Sequence, residues 1–527
     1  MTRSGIRALL CLSLTGLLAP VLGAPPAAAQ PGTQPLSSVS ALGAEVEPWD
    51  SGPQEPRAEH ETLSEWEQEL AALAYPGAGE PAPASDYALT AGSDLSGRIA
   101  DLAASLPDQE VVDLLGQANR ELRTGSSCPD PFGEGDGGLP PVTPSDVYCF
   151  EEDDSVTTEW IPQAVTGVSD AEEDEVLGSD REPVLVSWYD SQNPGRENGC
   201  TSSENDSCNE KGVRVSFVDP DTGEYRHVLL VWPYYNSYDH ISFDAVHASE
   251  NPMQDGIHAG GMAWYGNYLF VADTLDGIRV FDMRYVLDLN PDQNADVNDP
   301  TPDGLTSDVT DLRQVGRQSN VWYSYGYRYV MPQVATWTYS ATQYNDGEGP
   351  CADVGAPKAS YLSIDRSGDD QLVVGEYCTP TSDLPSAGRV GAWPLSGLTG
   401  SGSTVSADPA STYFTPTYQL QGVARYDGAY YFNQSHLYSN GSLWRGAVVD
   451  GALSITGPEL RTAVGPEDLY YERGAASGLP RLWSVSEHRE NISDPSCSTS
   501  DNTPCGRVLY AHAVSDLAAL LGARDTT

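Results

Sequence analysis

Lysine is nearly missing from this chain: of 527 residues only Lys211 and Lys358 are lysines. In all, 27 basic side chains face 76 acidic ones, for a formal charge of −49. Such a chain repels nucleic acid and anionic membranes, so neither is expected as a partner. Long apolar runs are missing too. The best, from Ala8 to Leu22, is shorter than the ~20 residues a bilayer span needs. It follows Arg3 and Arg7 and precedes Ala27-Ala28-Ala29, so it reads as a secretory signal peptide over 1–29 and predicts a secreted, extracellular, soluble protein. No P-loop, no Gly-x-Ser-x-Gly and no His-Glu-x-x-His occurs, so no nucleotide or nucleophile signature fixes a reaction.

Cysteine is sparse but even once Cys11 leaves with the leader. Cys128, Cys149, Cys200, Cys208, Cys351, Cys378, Cys497 and Cys505 remain. In an exported chain they predict four disulfides, and nearest neighbours are the expected pairs. No Cys-x-x-Cys pair supports zinc. Aromatic residues are plentiful, with 28 Tyr and 11 Trp, which argues for a packed core over most of the length.

What is present is a repeat. Gly261-Met262-Ala263-Trp264-Tyr265-Gly266-Asn267-Tyr268-Leu269-Phe270-Val271-Ala272-Asp273 returns without a gap as Gly422-Val423-Ala424-Arg425-Tyr426-Asp427-Gly428-Ala429-Tyr430-Tyr431-Phe432-Asn433-Gln434. Each copy reads as strand, tight turn, strand. A lone hairpin is marginal in water, so a chain that repeats one must stack the copies. Second strands of this type end at Trp188, Asp273, Glu376, Gln434 and Glu487, with gaps of 85, 103, 58 and 53 residues. Third strands follow at Val213–Val218, Gly277–Phe281, Arg389–Trp393, Ser442–Val448 and Arg507–His512. Fourth-strand candidates are Tyr225–Trp232, Tyr327–Trp337, Thr415–Leu420 and Ala452–Thr456. The pattern predicts an all-β β-propeller of five blades, six being the alternative. The last blade lacks a fourth strand, and residues from Val147 to Ile161 are placed to supply it and close the ring.

The expected organisation is a disordered or extended leader with one short helix over 30–85, a helical pair over 86–125, a disulfide loop with the closing strand over 126–160, and the propeller over 161–520. In the helical pair, Leu95, Ile99, Leu102 and Leu106 keep helical spacing, and Asp108 is read as the cap of a second helix running to Leu122.

Leu269-Phe270-Val271-Ala272-Asp273-Thr274 followed by Gly277-Ile278-Arg279-Val280-Phe281-Asp282 resembles the blade text of bacterial secreted propellers named for Leu-Val-Ile-Val-Asp and Asn-His-Leu repeats. Glu467-Asp468-Leu469 with Trp483 to Glu487 is similar to blades of lactonase-like and phytase-esterase-like propellers. The resemblance spans roughly residues 160–515 and implies the fold. The metal-binding positions of the lactonase-like enzymes do not map onto this chain.

Two candidate sites follow. In a propeller the ends of equivalent strands meet at a central channel, which would gather Asp273, Glu376, Gln434 and Glu487, joined by His258, Lys358, Gln421 and Glu467. Clustered carboxylates and amides suit a small polar ligand or a divalent cation. Separately, Asp288, Asn290, Asp292, Asn294 and Asp296 alternate, as oxygen ligands for calcium can. Gln293 stands where the EF-hand loop needs Gly, so the match is incomplete. The expected protein is thus an exported, monomeric propeller binding a small polar ligand or cation, with calcium as the candidate cofactor. The alternatives are a glycosidase-type or metal-dependent lactonase-type hydrolase using the channel carboxylates, and an extracellular structural or interaction protein.

Overall fold

The structure is a computed structural model. It describes residues 78–133, 139–191, 210–247, 257–290, 299–347, 349–381, 383–399, 406–474, 478–489 and 505–521. All belong to one compact unit, Gly52–Thr527.

The two copies of the repeated hairpin fold in the same register. Met262 pairs Val271 as Val423 pairs Phe432, and Tyr265 pairs Tyr268 as Tyr426 pairs Ala429. Their two-residue turns need left-handed backbone, supplied by Gly266 at φ 55° and by Asp427 and Gly428 at 49° and 73°. Two further strands extend each hairpin into an antiparallel meander.

Five such four-stranded units succeed one another among the described residues. Unit 1 comprises Trp160–Gly167, Val184–Asp190, Val213–Asp219 and Glu224–Tyr235. Unit 2 comprises Met262–Tyr265, Tyr268–Asp273, Gly277–Asp282 and Tyr329–Tyr339. Unit 3 comprises Tyr361–Asp365, Gln371–Gly375, Arg389–Pro394 and Ser411–Phe414. Unit 4 comprises Leu420–Tyr426, Ala429–His436, Ser439–Val449 and Ala452–Ile455. Unit 5 comprises Tyr470–Glu472, Arg481–Val485 and Val508–Ala513, and takes its fourth strand from far upstream, Asp146–Cys149. The architecture is a β-propeller, and the pairing of Tyr510 with Val147 joins the end of the ring to its beginning. The Cys128–Cys149 disulfide anchors that closing strand, and Cys351–Cys378 staples the approach to unit 3. Both are neighbour pairs, as expected. Cys505 is also disulfide-bonded. Cys200, Cys208 and Cys497 lie outside the described residues, as does the expected signal peptide over 1–29.

The core fills the gaps between units. Trp188, Trp483, Leu509, Val165 and Phe150 pack together at the closure, while Phe270, Leu362, Ile364 and Trp393 pack between units 2 and 3. The long outer strands of units 1 and 2 also run parallel for a stretch, Leu229 opposite Val330.

Several expectations are corrected. The 103-residue gap holds a small separate sheet between the third and fourth strands of unit 2, formed by Asp299–Pro300, Thr306–Asp308, Val315–Gln318 and Val321–Ser324. One of its pairings is parallel, so it is no meander. The fourth strand of unit 3 is Ser411–Phe414 rather than Thr415–Leu420. Pro416 cannot donate to a ladder, which disfavours the later stretch. The first helix, Ser96–Ser105, keeps the expected face, with Ile99 and Leu102 buried. The second is only Val111–Leu115, flanked by Glu110 and not Asp108. Past it Arg120–Glu121 pairs with the outer strand of unit 1. Within the stretch expected as a disordered or extended leader, Glu80 and Ala82 bond backbone to backbone with the edge strand of unit 3.

Candidate functional site

The innermost strands of four of the five units meet at one carboxyl group. Asp468 is fully buried, and its side chain faces the backbone amides of Leu469, Met262, Val165 and Leu362, from units 5, 2, 1 and 3. The Met262 amide donates to Oδ2 at 3.2 Å. Unit 4 completes the ring through Gly422, where an added Cβ would sit 2.9 Å from the Asp468 Cα and 2.7 Å from the Leu469 nitrogen. The same constraint recurs at Gly261, whose Cβ would sit 2.1 Å from the Leu362 nitrogen. The leading glycine of the repeated motif therefore lets neighbouring inner strands touch, and the axis is closed at this level.

Just outside this closure lies a polar recess. Glu467 stands at the head of unit 5 and is 1% exposed, with its Oε1 accepting from Gln421 Nε2 at 3.2 Å. Glu487 follows the second strand of the same unit, and its Oε2 accepts from Gln163 Nε2 at 3.2 Å. Two acids of one unit are thus held by amides from units 4 and 1. Gln163 reaches in because a register shift between Pro162 and Val165 displaces the first strand of unit 1. Burial, and then the charges of Glu487 and Asp468, push the Glu467 carboxyl well above the usual carboxylate range, so it holds its proton.

Aromatic rings border these acids. Tyr189 lies 4.2 Å from His258, ring centre to ring centre. His258 is open to solvent, yet surrounding protein lowers its imidazole pKa, with Glu487 opposing. Tyr377 feels the charges of Glu467 and Glu487 and receives the Gln419 amide at 3.5 Å. On another side His488 stacks on Tyr438 at 4.6 Å, its Nδ1 3.8 Å from Glu487 Oε1. From behind, Arg507 donates to the Glu487 carbonyl at 2.8 Å and to the carbonyls of Asp154 and Thr157.

Of the residues singled out from the sequence, His258, Gln421, Glu467 and Glu487 share this recess. Asp273 and Glu376 are instead paired with arginines of the next strand in their own units. Arg279 reaches Asp273 at 2.5 Å. Arg389, wholly buried, grips both Glu376 oxygens at 2.8 and 3.0 Å. Lys358 gives its backbone amide to Glu376 and its Nζ to the Pro350 carbonyl at 3.1 Å. Gln434 bonds Thr417 and Trp444. Beside Arg279 a cavity of about 20 Å³, lined by Trp232, Asp244, His247 and Gln333, has room for about one water molecule.

The calcium candidate is corrected in part. Asp288 is 3% exposed and its two oxygens hold Arg328 at 2.8 and 2.6 Å, so it is spent on an ion pair. Asn290 donates its backbone amide to Asp288. Asp292, Asn294 and Asp296 lie outside the described residues. Among the described residues no group of three or more His, Cys, Asp or Glu side chains is placed to hold a metal ion.

Sequence reasoning missed Gln163, Tyr189, Tyr377, Gln419 and Asp468. The signal for Gln163 was position: like Gln421 and Glu467, it stands two residues before the inward residue aligned with Met262. It also missed a buried Ser–His–Asp array. Ser216 Oγ lies 2.9 Å from His227 Nδ1, and His227 Nε2 lies 3.1 Å from Asp154 Oδ2. Ser216 is wholly buried and its hydroxyl already accepts the Trp188 indole N–H, so no substrate can approach it. Burial and Arg214 drive the His227 imidazole down to about 3 against the pull of Asp154. The ring is neutral, and the array is a core network.

No family model and no curated protein matches the chain. Similar solved structures include the RS223 β-xylosidase, at 9% identity over 68% of this chain and 92% of that one, TM-score 0.25. The six-bladed lectin of the fungus Aleuria aurantia, which recognises fucose, shares 7% identity over 63% of this chain and 73% of that one, TM-score 0.25. PhoX of Pseudomonas fluorescens, solved with vanadate, shares 10% over 73% and 99%, TM-score 0.30. At these values the likenesses carry no argument about function.

Proposed function

We propose that this protein is a ligand-binding propeller whose axial recess takes a small polar molecule on Glu467 and Glu487. The observation that carries the reading is the pair itself: two acids from one unit, each held by a glutamine of a different unit, beside aromatic rings. Such convergence on the axis fits a site where a few fixed polar groups orient a ligand. The absence of a metal-holding cluster among the described residues favours an organic ligand over a divalent cation. The observed disulfides fit an oxidising compartment, and no described helix is long and apolar enough to cross a membrane. The test is a thermal-shift screen of the full exported chain with polyols, amines and dicarboxylates. A ligand that binds the native state raises Tm. The reading expects a rise from a hydrogen-bond-donating class and none from dicarboxylates, with the rise lost in Glu487→Gln.

A second reading has its own observation. Glu467 keeps a proton next to Glu487, and carboxyl groups with separated proton affinities are the usual means of general acid–base hydrolysis. Turnover of nitrophenyl glycosides or esters, abolished by Glu467→Gln, would establish it. A complete lack of turnover leaves the binding reading alone.

A further inference from the structure

From the hydrogen-bond valences of the recess we infer that its ligand is a small organic cation that donates hydrogen bonds, an alkylammonium in chemical class. This rests on the axial recess being the binding site. The amide and guanidinium donors around the recess are committed to protein acceptors. Gln421 Nε2 serves Glu467, Gln163 Nε2 serves both Glu487 and the Pro162 carbonyl, and Gln419 Nε2 serves Tyr377. Arg507 is turned to backbone carbonyls.

The lone pairs are not so committed. Gln419 is 1% exposed, and its Oε1 has no hydrogen-bond partner. A buried carbonyl without a donor carries a desolvation cost that an N–H partner removes. Glu487 keeps acceptor capacity beyond its one bond to Gln163, with its side chain 23% exposed. His488 directs Nε2 at the Leu437 carbonyl, 2.8 Å away, so that nitrogen carries the hydrogen. Its Nδ1 lies 3.8 Å from Glu487 Oε1, too far for a direct bond, so a group between them would touch both.

A ligand matching this surface brings several N–H groups. Positive charge fits as well. Glu487 faces the recess, His258 is held towards its neutral form, and the chain as a whole carries −49. Tyr189 lies against His258 at 4.2 Å and Tyr377 accepts from Gln419, and aromatic faces attract ammonium groups. An anion would meet the charge of Glu487, with the amide and guanidinium donors around it already committed.

The test is titration calorimetry on the full exported chain with three probes: putrescine, a diammonium; tetramethylammonium, a cation without N–H; and glucose, a neutral polyol. Putrescine should bind tightest, and its affinity should fall about tenfold or more in Glu487→Gln, since charge-assisted bonds are the strong ones. Glu487→Asp, which keeps the charge, should retain most of it, and melting curves of both variants show that they fold. High salt should weaken putrescine and spare glucose. Glucose binding as tightly as putrescine would overturn the cation and leave the recess standing. Tetramethylammonium equal to putrescine would overturn the role of the donors. Failure of all three overturns both this inference and the recess reading.

Discussion

Asp468, at the head of the last unit, accepts the backbone amide of Met262 in the second unit at 3.2 Å across 206 residues of sequence. Amides from two further units and its own face the same carboxyl. Removing it leaves the buried Met262 amide without its acceptor, at about 1–3 kcal/mol. Asp468→Ala should therefore lower Tm, while Asp468→Asn, which keeps one carbonyl oxygen, should cost less. Equal melting temperatures for Asp468→Ala and the parent would refute the axial role.

The buried ion pairs and the recess acids should separate in a stability assay. Arg389 is wholly buried with both Glu376 oxygens in hand. Breaking such a pair strands a charge and costs about 3–5 kcal/mol. Glu376→Ala should thus destabilise strongly, whereas Glu487→Gln should cost under about 1 kcal/mol. Denaturant unfolding measures both. A larger loss in Glu487→Gln would mean that the roles assigned to these two acids are reversed.

These acids also show what was legible in the sequence. The repeated hairpin was visible because its register, turn and leading glycine each need particular residues. The five second strands were visible by their apolar run and polar end. What the polar end faces was not visible. Asp273 and Glu487 look alike as strand-terminal acids, yet one turns to Arg279 and the other to the axis. The arginine that follows at the head of the next strand, Arg279 or Arg389, was the available sign. Unit 5 has Arg507 in that place, but it braces the backbone of Glu487 and leaves the carboxylate to the recess. The axial residue itself, Asp468, was one position from a residue already singled out. The helix expected to reach Leu122 stops at Leu115 because tertiary pairing of Arg120–Glu121 with Tyr225 and Glu224 overrides local periodicity.

The Ser216–His227–Asp154 array gives a pH prediction. An unfolded histidine titrates near 6.5, while native His227 resists protonation to about 3. The unfolded chain therefore binds a proton below about pH 6.5 that the native chain refuses. Stability falls as pH drops through the window from about 6.5 to about 3, at up to about 1.4 kcal/mol per pH unit from this residue. His227→Gln removes that term, so its stability curve between pH 6.5 and 4 should be flatter than the parent's. Parallel curves would contradict a neutral buried imidazole. Ser216→Ala should leave any hydrolytic activity unchanged.

Ring closure depends on a strand that begins far from its partner in sequence. The Cys128–Cys149 bridge closes a span of 21 residues and fixes the end of that strand. Replacing both cysteines with alanine should cost about 2–4 kcal/mol. The loss should be local first: amide exchange in Val508–Ala513, which pairs with Asp146–Cys149, should speed up before exchange in Met262–Tyr265 does. Uniform acceleration through all five units would show that the closing strand is not a separate weak point.

The claim that the axial recess is the working site is tested most directly by a crystal structure of the protein soaked in putrescine. The account predicts ligand density between Glu467 and Glu487, with one nitrogen in hydrogen-bond reach of Glu487 and of the Gln419 carbonyl oxygen, and the same density missing in crystals of Glu487→Gln. Saturating ligand bound elsewhere on the propeller, with the recess holding only water, would contradict it.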